Sequence, residues 1–287
     1  MKIMGDGTLK VIGIGDNVVD NYIDMRTMFP GGNALNFSVY ASMLGCNSAY
    51  LGVFGSDDCA KHVQQTLADI GVDTSHCRIA DGPNGQAILK IEDGERIFIS
   101  SNEGGISKSA PMEFIFDDLD YLQSFSIVHT GTYSYMDRYL SKMKQLDLLI
   151  SYDFSDDFDR EHALSLCRHI DFGFFSCSEW TEETAMELLK EAVNQGCTMV
   201  VATRGSREVI LFDGRSWFRQ APLEVIPKDT LGAGDAFIAG FLISYLIGIT
   251  KVSVPADSVI KNSLGEAVAF AAKICQVQGA FGHGLSY

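Results

Sequence analysis

The sequence predicts an α/β fold: a doubly wound, mainly parallel sheet with a second, small β-sheet beside it. Three observations carry this expectation. Short apolar runs recur at 9–15, 126–130, 148–153, 172–175 and 199–203, with helix-like segments between them. The runs look buried rather than amphipathic, as strands covered on both faces do. Two other stretches alternate instead. Residues 21–30 read as a strand exposed on one face, and 86–91 and 96–99 read as hairpin arms joined across Asp93-Gly94. These alternating segments, about 20–31 and 85–102, make the expected small sheet.

The chain has 287 residues and 46% hydrophobic content, enough for one large core. No repeat, low-complexity segment or Pro/Ser-rich linker divides it, so residues 1–287 are expected to form a single domain. The formal charge of −15 makes a nucleic-acid backbone a poor partner. An anionic nucleotide is held only by local N–H groups, a few basic side chains and a metal ion. The seven cysteines are scattered and never form C-x-x-C, which suggests thiols in a reducing compartment and no zinc site. No charged start precedes a long apolar run, and no segment approaches eighteen uninterrupted apolar residues. A soluble, cytoplasmic protein with no membrane partner is therefore expected.

In chain order, 9–15 is the first buried strand. Its Gly13-x-Gly15 lacks the third glycine of a dinucleotide fingerprint, and Asp16 occupies the turn. Asp16 and Asp20 fall at or just past the strand's C-terminal end, the edge where open α/β sheets bind ligands. Asp16 is equally accounted for as a turn acid or cap. Pro30-Gly31-Gly32-Asn33-Ala34-Leu35-Asn36 then opens a helix. The glycine pair permits a tight turn and close approach of a polar ligand, and Asn33 and Asn36 share one helical face. A plain turn with Asn33 as N-cap also fits. A strand at 49–55, a helix at 59–70 and a return to strand at 71–73 follow. His129, at a strand end, reads as a structural histidine.

Asp229-Thr230-Leu231-Gly232-Ala233-Gly234-Asp235 is the stretch richest in chemistry. Residues 223–227 read as the end of an extended segment, and 236–243 are apolar nearly all round, as in a buried helix. The small residues therefore sit where a loop becomes a helix. The N–H groups there lack helical partners and the helix dipole is positive, which suits a phosphate. A carboxylate in the same turn can take a proton from a hydroxyl aligned with that phosphate, and this pairing is what phosphoryl transfer needs. Tight packing with Asp235 as an ordinary first-turn acid is the alternative. No G-x-x-x-x-G-K-[ST] occurs, so P-loop chemistry is set aside. Another apolar helix spans 264–278, closed by Gly279-Ala280.

The Asp-Thr-x-Gly-Ala-Gly-Asp run ending at Asp235 resembles the C-terminal signature of the ribokinase (pfkB-type) carbohydrate kinases. Gly31-Gly32-x-Ala34-x-Asn36, with Gly15-x-x-x-x-Asp20 before it, resembles the N-terminal signature of the same family. The resemblance spans residues 11 to 280. It implies a ribokinase-like fold whose small sheet is a lid over the sugar and a homodimer surface. It makes Asp235 the catalytic base and Gly232, Ala233 and Gly234, with the Asp235 N–H, the anion hole. Asp20, Gly32 and Asn36 would hold sugar hydroxyls, with Asp16, Gly31 and Asn33 beside them. Thr203-Arg204-Gly205 looks like the family's nucleotide loop, where Thr203 and Gly205 approach phosphate or ribose and Arg204 or Arg207 neutralises charge. A plain strand–turn–strand accounts for the same residues. Asn262 and the last helix would flank the adenine of ATP. Glu179 would steady Mg2+ through water, although Ser176 replaces the usual asparagine, and carbonyls near Asp229, Leu231 and Gly279 would hold K+.

Two departures narrow the expected substrate. Asn33 stands where many ribokinases have lysine, and Asp153-Phe154-Ser155-Asp156 stands where common members show Asp-x-Asn-x-Arg. That run and Gly15-Asp16-Asn17-x-Val19-Asp20 resemble the fructoselysine 6-kinase branch. The implied activity is transfer of the ATP γ-phosphoryl group to the primary 6-hydroxyl of a fructosamine, with the substrate's cationic amine near Asp16, Asp153 or Asp156. Fructokinase or ribokinase activity is the nearest rival. A nucleoside kinase lacks an aromatic clamp here, and a non-catalytic sugar or nucleotide sensor has no need of Asp235.

Overall fold

A computed structural model describes residues 9–92, 95–251 and 254–287. Among these, the main sheet runs in the spatial order Trp217–Gln220, Arg207–Phe212, Met199–Arg204, Phe172–Ser176, Ile150–Asp153, Ile127–Gly131, Lys10–Gly15, Asn47–Phe54 and Arg78–Ile79. Neighbours are parallel except at the first edge, where Met199–Arg204, Arg207–Phe212 and Trp217–Gln220 form an antiparallel meander.

The apolar runs lack alternation because each strand feeds two cores. Val11, Phe174, Val201 and Leu211 point to one face and pack with the helices Asn33–Met43, Ala233–Gly248 and Ala256–Ile274. Ile12, Phe175, Val200 and Ile210 point to the other, toward Asp137–Gln145, Arg160–Leu166 and Glu182–Asn194. The Ala233–Gly248 helix is buried from Asp235 through Ile243, as its unbroken apolar sequence requires. Its Phe241 is fully buried, and truncating such a side chain costs about 3–5 kcal/mol. The first turn of this helix is therefore anchored by a core.

The second sheet has the order Leu285–Ser286, Thr27–Gly31, Val18–Tyr22, Gly85–Glu92 and Glu95–Ser101. Only Asp16 and Asn17 separate it from the first strand of the main sheet. Asn17 is buried, and its Nδ2 donates to the Tyr50 hydroxyl (2.8 Å) and the Val53 carbonyl (2.9 Å), which fixes the exit of the chain. Residues 21–30 are not one strand. They are parts of the antiparallel pair Val18–Tyr22 and Thr27–Gly31, turning at 23–26. The arms around Asp93-Gly94 pair antiparallel, Lys90 opposite Ile97, while the turn itself lies outside the described residues. The C-terminal strand was not expected. Two residues carry no periodicity, and Leu285 and Ser286 are held by pairing with Met28 and Thr27.

Three other expectations shift. The return to strand at 71–73 reduces to one bridge between Ala49 and Asp73. Residues 223–227 are irregular and join no sheet; Leu223, Glu224, Val225 and Pro227 line a cavity. The last helix starts at Ala256, well before the apolar run at 264 that marked it. Among the described residues all seven cysteines are free, and no helix is long and apolar enough to cross a membrane.

Candidate active site

The two glycine-rich segments, some 200 positions apart in sequence, meet at the C-terminal edge of the main sheet. Asp235 sits in the first turn of the Ala233–Gly248 helix and is 7% exposed. Asn36 donates to its Oδ2 (2.8 Å) and Asn33 to its Oδ1 (3.0 Å). The shared helical face of the two asparagines is thus turned on one carboxylate. The same Asn33 Nδ2 also donates to Asp153 Oδ2 (2.8 Å), and the Ser155 N–H donates to Asp153 Oδ1 (2.9 Å). Burial pushes both carboxyls up; Asp153 and Asp16 add to this at Asp235 against the Asn36 and Asn33 amides, and Asp16 and Asp156 add to it at Asp153 against the Ser155 N–H and the Asn33 amide. Asp153 rises to about 6, and Asp235 lies well above the usual carboxylate range.

The Gly31–Gly32 pair lets these groups converge. A Cβ on Gly31 would come within 2.5 Å of the Asp20 carboxylate. Gly32, at φ 116, has no room for one beside Asp16 and Asn17, whose atoms would lie 2.9 Å away. Gly32 is the N-cap of the Asn33–Met43 helix but has no side chain to cap with. Asp16 supplies the cap from another strand end. Its Oδ2 accepts from the Asn33 N–H (2.7 Å), and its Oδ1 accepts from the Ala34 N–H (3.1 Å) and the Ser134 hydroxyl (2.7 Å). Of the two roles open to Asp16, the cap is the one with visible partners, although the residue is buried rather than solvated. Asn33 is accordingly the first helical residue and not the N-cap.

On the other side of the helix start, Ala233 and Gly234 open onto a cavity of about 910 Å³, a size that suits a nucleotide. The Ala233 N–H donates to Thr230 (3.2 Å) and the Ala236 N–H to Gly232 (2.8 Å). Among the described residues no carbonyl accepts from the Gly234 or Asp235 N–H between them. A Cβ at Gly234 would meet nothing within 4 Å, so the backbone there is open to a ligand. Gly232, at φ 74, packs instead on the Tyr40 hydroxyl, which donates to the Ala280 carbonyl (2.6 Å). The helix start therefore divides two compartments: an open cavity with bare N–H groups, and a buried set of carboxylates.

Thr203, Gly205, Ser176 and Val268 line the cavity. Asn262 does not. It borders a separate groove with Leu44, Gly240 and Ser244, because it lies on the last helix before the part that faces the cavity. Val268, Ala271 and Cys275 line the cavity instead. Glu179 is exposed beyond the Phe172–Ser176 strand and is not among the lining residues, whereas Ser176 and Ser178 are. No group of three acidic, histidine or cysteine side chains suited to a metal occurs among the described residues. Arg204 is buried beside Glu182 (3.4 Å), and Arg207 donates to the Cys177 and Ser178 carbonyls.

Asp229 gathers three segments through its side chain. It accepts from the Leu231 N–H at Oδ1 (3.0 Å), and from the Tyr22 hydroxyl (2.7 Å) and the Gly279 N–H (3.0 Å) at Oδ2. Tyr22, Ser134 and Gln278, the last also bonded to Asp229 (3.3 Å), support the site without any sequence signal, since their partners are distant in the chain. His129 is fully buried, bonded to Ser151 (3.0 Å) and packed on Phe37, and burial lowers it to about 3. It is a neutral core histidine.

Known proteins resemble this chain over nearly its whole length. Fructosamine kinase FrlD of Bacillus subtilis (strain 168) is 39% identical over 280 residues, covering 97% of this chain and 95% of the relative. Fructoselysine 6-kinase of Escherichia coli (strain K12) is 34% identical, covering 93% and 98%. The fold is shared with Arabidopsis thaliana ribokinase complexed with ribose and ATP, at TM-score 0.76 and 20% identity, covering 98% of this chain and 95% of that one. Xylella fastidiosa fructokinase with bound ATP gives TM-score 0.75 at 17% identity, covering 95% and 94%. The pfkB family carbohydrate kinase model matches residues 8–281, from the first strand of the main sheet to the loop that packs on Gly232, and the chain belongs to that family.

Proposed function

We propose that this carbohydrate kinase transfers the γ-phosphoryl group of ATP to the primary 6-hydroxyl of a fructosamine such as fructoselysine. The observation that carries the proposal is the junction at Gly234-Asp235, where unbonded N–H groups face a nucleotide-sized cavity and a buried carboxylate faces the opposite compartment. The substrate class is supported by the names of the two relatives, a fructosamine kinase and a fructoselysine 6-kinase.

ATP supplies the phosphoryl group and brings Mg2+ with it. Asp235 accepts the proton as the 6-hydroxyl oxygen bonds to phosphorus and the bond to the departing ADP oxygen breaks. Its raised basicity suits a proton acceptor, and Asn33 and Asn36 fix its orientation. The Gly232, Ala233, Gly234 and Asp235 backbone stabilises the charge on the transferring group. Asp20, Gly31, Gly32, Asn33 and Asn36 orient the sugar, and Asp16 holds their helix in register. Thr203 and Gly205 contact the nucleotide, and Glu179 is the residue that would steady the magnesium brought by ATP. The carbonyls around Asp229, Leu231 and Gly279, drawn together by the Asp229 side chain, are the proposed potassium position. The small sheet acts as lid, and its exposed Ile97, Phe98 and Ile99 support a homodimer through it. ADP release with fructoselysine, fructose, ribose and nucleosides tests the assignment. Preference for fructoselysine is expected, and preference for fructose or ribose refutes the substrate.

A further inference from the structure

Three aspartates were candidates to meet the amine of a fructosamine, and their surroundings differ. Both oxygens of Asp16 are occupied by the helix start and Ser134. Asp156 is exposed, takes a hydrogen bond from Ser155 (3.1 Å), and is a residue of the rim. Asp153 is buried, and its Oδ2 shares the Asn33 amide with Asp235, so the two carboxylate oxygens are no more than about 6 Å apart. The charged neighbours that act on Asp153 are Asp16 and Asp156, and those that act on Asp235 are Asp153 and Asp16. All are acidic. A buried carboxylate without a cation is costly, and a ligand that brings one recovers the cost.

A second observation points to a ligand in the same place. Asn36, 4% exposed, gives its Nδ2 to Asp235 and leaves its Oδ1 without a donor among the described residues. An acceptor next to the candidate base awaits a hydroxyl donor, and a sugar supplies it. A sugar with a hydroxyl at one end and an ammonium at the other spans two carboxylates at this separation.

We infer that Asp153 is the specificity-determining residue for the amine: it accepts a charge-assisted hydrogen bond from the ammonium at C1 while Asp235 faces the 6-hydroxyl. The inference rests on the fructosamine reading above. Asn33 completes the arrangement, since its one amide group sets the spacing of both carboxylates. A lysine there would bring a fixed cation into the compartment and compete with the substrate's own.

The test uses 1-amino-1-deoxyfructose and fructose, which differ only in ammonium against hydroxyl at C1. The readout is the ratio of their kcat/KM values in the wild type and in Asp153→Asn. Loss of one charge-assisted hydrogen bond lowers that ratio by about 10- to 100-fold. A purely structural role for Asp153 lowers both substrates in proportion, leaves the ratio unchanged and overturns the inference. Should the variant fail to fold, the wild-type ratio decides. A value above about 10 is expected from the same hydrogen bond, and a value near 1 overturns the inference while the sugar-kinase assignment stands. A wild type that phosphorylates fructose but no amino sugar overturns the fructosamine reading, and the role of Asp153 falls with it.

Discussion

Asp16→Ala separates a structural role from a substrate-binding one. The Asn33–Met43 helix begins at a glycine, and among the described residues the side chain on its first two N–H groups is Asp16, from the end of the first strand. Removing the carboxylate strands the Asn33 and Ala34 N–H groups and the Ser134 hydroxyl. Loss of a cap costs about 1 kcal/mol. A second buried donor left unpaired adds about 1–3 kcal/mol, while the Ser134 hydroxyl can rotate to another partner. The sum is about 2–4 kcal/mol, or a fall in Tm of about 3–7 °C for a domain of this size. Urea unfolding in the absence of ligands measures it. Because Asn33 and Asn36 ride on this helix and hold Asp235, kcat should fall with stability. An unchanged urea midpoint alongside weaker sugar binding would refute the capping argument and make Asp16 a direct sugar ligand.

Other substitutions test separate links. Asp235→Asn removes the proton acceptor but keeps the shape, so turnover should fall by at least 100-fold with sugar binding by calorimetry nearly intact; near-normal turnover would remove Asp235 as the base. Asp153→Asn should stabilise the ligand-free protein in a pH-dependent way. The folded carboxyl is raised from 3.8 to about 6, so its contribution to stability is fully present below 3.8 and is lost as pH rises through 6. That interval corresponds to roughly 3 kcal/mol, net of the Ser155 hydrogen bond to the charged form. Melts should show a gain of about 3 kcal/mol at pH 8 and little at pH 4; an equal shift at both would contradict the assignment. Gly232→Ala pushes a Cβ to 2.3 Å from the Tyr40 hydroxyl at φ 74. A loss of about 2–4 kcal/mol and a drop in kcat larger than any change in sugar KM are expected; wild-type kinetics would show that the anion loop tolerates the shift.

The parts of this molecule legible in its sequence were those dictated locally. Unbroken apolar strands implied a sheet covered on both faces, and Val11 and Ile12 do serve opposite cores. The spacing of Asn33 and Asn36 implied one helical face, and both amides point at Asp235. What escaped depends on partners distant in the chain. The capping of one helix by Asp16 and the support from Ser134 leave no trace in spacing, and neither does the tether of Tyr22 to Asp229. The two-residue strand at Leu285–Ser286 is too short for a pattern. Asn262, placed beside the adenine by resemblance alone, borders a separate groove, whereas the side of the last helix that lines the cavity is apolar, with Val268 and Ala271.

The central claim is a phosphoryl transfer to one particular hydroxyl. Phosphorus NMR of the product formed from fructoselysine, ATP and Mg2+ tests it most directly, because a phosphate ester on C6 couples to the two protons of a primary carbon. The account predicts a phosphorus signal split by two protons, a triplet, together with one ADP per sugar phosphate, whereas an ester on a secondary ring carbon gives a doublet. An ester on a ring carbon, or ADP formed without any sugar phosphate, would contradict it.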